Sequence, residues 1–200
     1  MQRIDYYFAP QSPWTYLGHA RFAALAKRHG AEVNVKPVDI NKVFAVSGGL
    51  PLPQRPAQRQ AYRLVELRRF AGYLGLPINL HPQYFPVVGD AAAKMIVAAE
   101  QSGGSAAALA LAGAIGAAVW TGERNIADEA TLIALADGER LDGAELAAAS
   151  KSASVGDRYA GNTAEAIEAQ VFGAPTYVVD GELFWGQDRL DFLERALKRG

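Results

Sequence analysis

The chain has 200 residues, 20 Lys and Arg against 21 Asp and Glu, a formal net charge of -1, a half-hydrophobic composition and no cysteine. That length builds a real core as one domain, or as one domain with a large insertion. Balanced charge without a basic block argues against nucleic acid as the main partner, and the empty cysteine column excludes disulfides, thiolate metal sites and any thiol nucleophile carried by the protein.

In chain order, Ile4, Tyr6 and Phe8 alternate with Asp5 and Tyr7, a period of two that predicts a strand. Ala9, Pro10 and Gln11 cut it. Ser12 is then a favoured N-cap and Pro13 a favoured first helical residue, since the missing N–H would find no partner there anyway. Trp14, Leu17, Gly18, Phe22 and Leu25 keep helical spacing, Lys27, Arg28 and His29 suit the negative end of the dipole, and Gly30 stops the helix. Val33 and Val35 mark a second strand ending at Pro37, which completes a βαβ opening.

Glycines and prolines punctuate residues 41–58, which read as a long loop. Helical patterns follow at 62–74, 91–101, 106–120, 129–136 and 144–149. Asn162, with Glu165 three residues on, resembles a capping arrangement for a helix reaching Gln170. Residues 176–179 and 182–185 flank Asp180 and Gly181, a strong hairpin signal. Leu190, Leu193 and Leu197 give a last amphipathic helix. The pattern predicts an α/β chain: a thioredoxin-like fold with a mixed four-stranded sheet, residues 1–55 and 155–200, around an all-helical insertion, residues 56–154.

No secretory leader is legible, and the longest apolar tract, 106–120, falls short of the roughly 20 residues that cross a bilayer. The expectation is a cytoplasmic chain with no membrane contact. No His-x-x-x-His spacing suggests a metal, and His19, His29 and His81 read as structural or solvated. Ser12 is either a plain helix cap or, over amides that carry the positive end of a dipole, a site that stabilises an anion such as a thiolate. Ala174 and Pro175 form an X–Pro pair just before a strand, a candidate cis bond, although trans is the commoner state. The backbone of Ala174 is a candidate to pair with an extended peptide-like ligand. Trp185, Gly186, Gln187 and Asp188 open a second helix N-terminus, suited to a carboxylate or simply capped by Asp188.

Three segments together, residues 6–18 (YYFAPQSPWTYLG), 171–176 (VFGAPT) and 184–190 (FWGQDRL), resemble the signatures of the 2-hydroxychromene-2-carboxylate isomerase family, relatives of kappa-class glutathione transferases and DsbA oxidoreductases. Residues 59–77 also resemble the family's middle helix with its Gly-hydrophobic-Pro turn. The resemblance implies a glutathione-dependent isomerase of aromatic degradation that takes its substrate to trans-o-hydroxybenzylidenepyruvate. Glutathione is the implied cofactor, and a small aromatic carboxylate the implied substrate. Ser12 would hold the glutathione thiolate where a DsbA protein has the first Cys of its Cys-x-x-Cys. Ala174 and Pro175 would meet the cysteinyl moiety, and Trp185, Gly186, Gln187 and Asp188 the γ-glutamyl end. Arg59 is carried over to an acid group. Ser47 and Gly48 stand where the family has a Gly-Asn element, here without Asn. Tyr84 and Phe85 are expected at a pocket wall or in the core. The resemblance allows a homodimer. Two other readings share these residues: a kappa-like transferase, distinguished by its released adduct, and a non-catalytic thioredoxin-like binding domain, distinguished by failure to bind glutathione. A DsbA-type oxidoreductase fits worst, because it needs the missing cysteines.

Overall fold

The computed structural model describes residues 2–199. Arg3–Phe8 forms strand β1, whose alternation sends Ile4, Tyr6 and Phe8 into the main core and Tyr7 into a smaller core on the other face. Helix α1 (Pro13–Arg28) crosses over and returns the chain as β2 (Glu32–Pro37), parallel to β1 with Ile4 opposite Val33 and Tyr6 opposite Val35. Strands β3 (Thr176–Val179) and β4 (Glu182–Trp185) come from the far end of the sequence and pair antiparallel, giving the order β2-β1-β3-β4. A parallel neighbour needs a crossover element, whereas an antiparallel one needs only a tight turn. Asp180 and Gly181 supply that turn, both at positive φ (50° and 82°), the geometry that matches strand twist.

Between β2 and β3 lie α2 (Ile40–Ser47), α3 (Ala57–Leu74), α4 (Asp90–Trp120), α5 (Glu129–Gly138), α6 (Gly143–Ala149) and α7 (Ala153–Glu168), and α8 (Leu190–Leu197) follows the hairpin. Two sequence expectations fail here. Residues 41–47 are helical rather than loop: Asp39 caps α2 by accepting from the Asn41 and Lys42 amides, and Gly48 ends it in a left-handed conformation. Asn162 does not cap a helix. The cap of α7 is Ser152, ten residues earlier, and Asn162 sits buried in mid-helix, where its Nδ2 donates to the Pro37 carbonyl at 3.3 Å.

The two expected helices at 91–101 and 106–120 both form and meet at a kink at Gly104 (φ 72°, ψ -174°), together a bent rod of 31 residues. By length and mean hydropathy this rod would cross a bilayer, yet Met95, Ile96, Leu111 and Ile115 are buried in the main core with β1, α1 and β3. That core centres on aromatic rings: Tyr6 lies 4.4 Å from Phe22, 4.5 Å from Phe8 and 5.3 Å from Tyr177. Offset and tilted ring pairs at such distances contribute roughly 0.5–1.5 kcal/mol beyond area burial.

On the opposite face α2 and α7 cover Tyr7, Val38, Val43 and Val178. Lys36 is buried there, its Nζ 2.7 Å from Glu165, 3.2 Å from Asp5 and 3.3 Å from the Tyr7 hydroxyl. Burial alone would lower the Lys36 pKa, and the bonds to Glu165 and Tyr7 outweigh it and raise it. Burial would likewise raise Glu165, but Lys36 and Arg158 hold its carboxyl below the ordinary value.

Candidate functional site

The turn that begins α1 is built as the sequence suggests. Ser12 is the N-cap, its Oγ accepts from the Thr15 amide at 3.3 Å, and its carbonyl accepts from the Tyr16 amide at 3.0 Å. Pro13 has no N–H to offer. Of the first-turn amides, that leaves Trp14 N–H without a partner among the described residues, beside a Ser12 hydroxyl proton that also has no acceptor there. The first turn contains no acidic residue to offset the positive end of the helix. Two donors at a helix N-terminus are suited to an anion.

Facing this helix, the Ala174-Pro175 bond is cis. Neither the amide nor the carbonyl of Ala174 is paired among the described residues, so its backbone remains available to an extended ligand. The Gly186 amide donates to the Pro175 carbonyl at 2.9 Å, and Thr176 Oγ1 donates to the Gly173 carbonyl at 2.8 Å, which stitches the two C-terminal segments together. Gly186 has φ 106°, and a Cβ there would fall 2.6 Å from Asp188 Oδ1, so the turn requires glycine. Gln187 is 2% exposed and turned inward: Arg21 Nη1 donates to its Oε1 at 3.1 Å and to its carbonyl at 3.3 Å. What Gln187 can offer a ligand is therefore its backbone amide. Asp188 is exposed and tied to Arg189 at 2.7 Å, and it forms no side-chain cap.

A cleft of about 530 Å³ lies between these turns and α3, lined by Trp14, Phe70, Tyr62, Arg59, Ala174 and the 185–189 segment among others. Trp14 and Phe70 meet edge to face at 6.0 Å across one wall. The structure thus brings Arg59, Ala174, Trp185, Gly186, Gln187 and Asp188 to one cleft. Ser12 does not itself line it, but stands two residues before Trp14, which does, and Pro175 is buried behind Ala174. Four expected residues lie elsewhere. Ser47, at the end of α2, spends its hydroxyl on the Val43 carbonyl at 2.8 Å, and Gly48 is the exposed cap of that helix. Phe85 packs on Trp120 at 4.7 Å, and Tyr84 is exposed beside it, neither of them on the cleft wall. The helical fold of 40–47 is what carries the Ser47 region away.

His19, beneath the site, belongs to the core. A carbonyl only accepts, so its contact with the Leu109 oxygen at 2.8 Å fixes the proton on Nε2, and Nδ1 accepts from the Tyr6 hydroxyl at 3.2 Å. Burial lowers its pKa, and the backbone bond opposes this only in part. His29 bonds Glu194 of α8 at 3.1 Å. No cluster of His, Asp and Glu fit to hold a metal occurs among the described residues.

Sequence reasoning missed Arg55 and Arg63, which line the same cleft as Arg59. The step of four from Arg59 to Arg63 was a legible signal, since it places both side chains on one face of α3, whereas Arg55 lies ahead of that helix. It also missed Gly18, where a Cβ would sit 2.8 Å from Gln187 Cβ, and Arg21, which holds that residue.

A four-stranded mixed sheet, a helix-capping turn and an X–Pro bond facing it define the thioredoxin class of proteins. The DSBA-like thioredoxin domain model matches residues 3–198, and a 2-hydroxychromene-2-carboxylate isomerase of Pseudomonas putida is 32% identical over 98% of this chain and 94% of its own. The chain belongs to the DSBA-like thioredoxin family and, within it, to the 2-hydroxychromene-2-carboxylate isomerase family. A solved structure of a 2-hydroxychromene-2-carboxylate isomerase superposes with TM-score 0.80 at 29% identity, covering 98% of this chain and 95% of that one. The cytosolic disulfide reductase DsbM of Pseudomonas aeruginosa, solved with GSH, shares the fold at TM-score 0.69 and 20% identity over 98% and 99% of the two chains.

Proposed function

We propose that this chain is a glutathione-dependent isomerase that turns 2-hydroxychromene-2-carboxylate, or a closely similar aromatic carboxylate, into the trans-benzylidenepyruvate. The observation that carries the reading is the cysteine-free turn of Ser12, Pro13, Trp14 and Thr15, in a chain that matches a named isomerase from end to end. A thioredoxin-type turn without sulfur can do thiol chemistry only on a thiol that arrives by diffusion.

The residues present fit glutathione. The Ser12 hydroxyl and the Trp14 amide are donors in need of an acceptor, the Ala174 backbone is unpaired, and Arg59 is free of carboxylate partners among the described residues. When bound, glutathione supplies a thiolate that adds reversibly to a conjugated double bond and lets it rotate, with no net redox change. Free thiols ionise near pH 8.5. Ser12 and the helix end would each favour the ionised sulfur by ~1 kcal/mol, together roughly a 30-fold gain in its ionisation constant, enough to leave about half of the thiol ionised at neutral pH. Ala174 pairs with the extended peptide backbone, Arg59 takes one of its carboxylates, and Trp14, Phe70 and Trp185 exclude water from the reacting bond.

The test is isomerisation followed by ultraviolet absorbance with and without glutathione, on the wild type and on Ser12→Ala. The wild type should require glutathione, and Ser12→Ala should lose about three- to fivefold in rate at pH 7, partly regained as pH rises. Turnover without glutathione, or an unaffected Ser12→Ala, refutes the mechanism, and release of a stable adduct would mark a transferase.

A further inference from the structure

The cleft holds charged groups that the reading above does not use, and one of them has no partner among the described residues. Arg63 lies one helical turn beyond Arg59 on α3 and lines the same cleft, together with Arg55 just before the helix. Its guanidinium stacks against Phe85 at 5.2 Å and Trp120 at 5.7 Å. Those rings lie against the group but satisfy none of its five N–H donors. Arg63 makes no hydrogen bond or ion pair among the described residues, and its Nη2 is fully buried.

Its neighbours do not supply an anion. Glu66, the carboxylate on the same wall, is taken by Arg69, and Asp188 by Arg189. Arg55 donates its Nε to the Leu50 carbonyl at 2.8 Å and adds a second positive charge. Burial, and then the Arg55 charge, bring the Arg63 pKa down to about 10, which leaves it cationic at neutral pH. A half-buried cation whose donors are unused is a costly arrangement unless something anionic completes it. A planar fork of this kind matches a carboxylate in two parallel hydrogen bonds.

We infer that Arg63, supported by Arg55, is a specificity-determining carboxylate site that binds the acid group of the aromatic substrate, while its ring lies along Trp14 and Phe70. Arg59 and the Gly186 turn are then left for the acid ends of the cofactor. The identity of the acid rests on the isomerase reading, but the anion site itself does not.

The probe is trans-2-hydroxycinnamate against its methyl ester, with affinities measured by calorimetry on the full chain. Wild type should bind the acid roughly 10- to 100-fold more tightly than the ester. Arg63→Met should bind both equally, and Arg63→Lys, which keeps the charge but loses the fork, should fall between. Glutathione affinity should change less than about twofold in either variant, whereas a purely structural Arg63 would lower the melting temperature without touching the acid-ester ratio. Should Arg63→Met not fold, the Arg63→Lys ratio alone decides. Equal binding of acid and ester by the wild type, an unchanged ratio in a folded variant, or a tenfold loss of glutathione affinity overturns the inference. If the ratio behaves as expected while isomerisation proves independent of glutathione, the functional reading falls and the carboxylate site stands.

Discussion

Gly18 is the most sensitive joint between α1 and the turn that closes the cleft. In Gly18→Ala the new Cβ would lie 2.8 Å from Gln187 Cβ, 3.2 Å from the Tyr177 hydroxyl and 3.3 Å from Gln187 Cα. Two of these three atoms belong to the root of Gln187 or its backbone, so the clash cannot be relieved by swinging a side-chain tip. The segment 186–188 must move. Two effects oppose each other. Replacing glycine by alanine inside a helix gains about 1 kcal/mol of propensity, and overfilling a packed contact costs typically 1–3 kcal/mol. The net expectation is a loss of about 1 kcal/mol, or roughly 2–4 °C in melting temperature for a chain of this size. Gly72, on the exposed side of α3, supplies the control: a Cβ there meets nothing within 4 Å, so Gly72→Ala should gain about 0.5–1 kcal/mol. Thermal melts of the two variants should therefore move in opposite directions. Because the Gly186 turn shifts with Gln187, glutathione binding by Gly18→Ala should weaken several-fold while Gly72→Ala binds as the wild type does. Equal stabilisation of both variants would refute the close packing of α1 on that turn.

The buried cluster on the other face gives two further tests. Lys36→Met strands Asp5 and Glu165 and should cost roughly 2–3 kcal/mol in urea unfolding, less than the 3–5 kcal/mol of a fully enclosed pair because both carboxylates retain some water contact. Glu165 is depressed in the folded state, so its contribution is present above the ordinary carboxyl value of 4.5 and is lost as pH falls through its lower folded value. Between pH 6 and pH 3 the wild type should therefore lose more stability than Glu165→Gln, and parallel pH profiles would contradict the ion pair. Tyr177 carries a buried hydroxyl with no partner among the described residues, while its ring stacks on Tyr6. Tyr177→Phe keeps the ring and removes an unsatisfied group, so the melting temperature should hold or rise by a few degrees; a loss above about 1 kcal/mol would show that the hydroxyl is bonded.

What the sequence made legible was local and rule-governed. The alternation of Ile4, Tyr6 and Phe8, the Ser12 and Pro13 cap, and the Asp180 and Gly181 hairpin each rest on short-range geometry, and each forms as read. The failures share one cause, a local signal read without its tertiary partner. The prolines at 51, 53 and 56 drew the whole 41–58 stretch into a loop, although Asp39 and Gly48 bracket α2 with a cap and a stop. Asn162 and Glu165 have cap-like spacing, but the Asn162 side chain is engaged at the end of β2, a contact 125 residues distant in sequence. The cleft was half legible. Its backbone turns came from motifs and the Arg59 to Arg63 step was there to be read, whereas Arg55 and Gly18 act through neighbours that only the folded chain brings near.

The placement of the tryptophans gives the protein an optical handle of its own. Trp14 and Trp185 line the cleft, and Trp120, fully buried, lies directly behind Arg63. These three are all the indoles the chain has. Its tryptophan fluorescence, excited where tyrosine does not absorb, is therefore emitted entirely from the cleft and the layer beneath it. Two emitters are partly wet and one is dry, so ligand entry should quench or shift the red side of the spectrum while the blue side reports on Arg63. Titrations can thus be read without label or substrate, on the same samples whose melting is being measured.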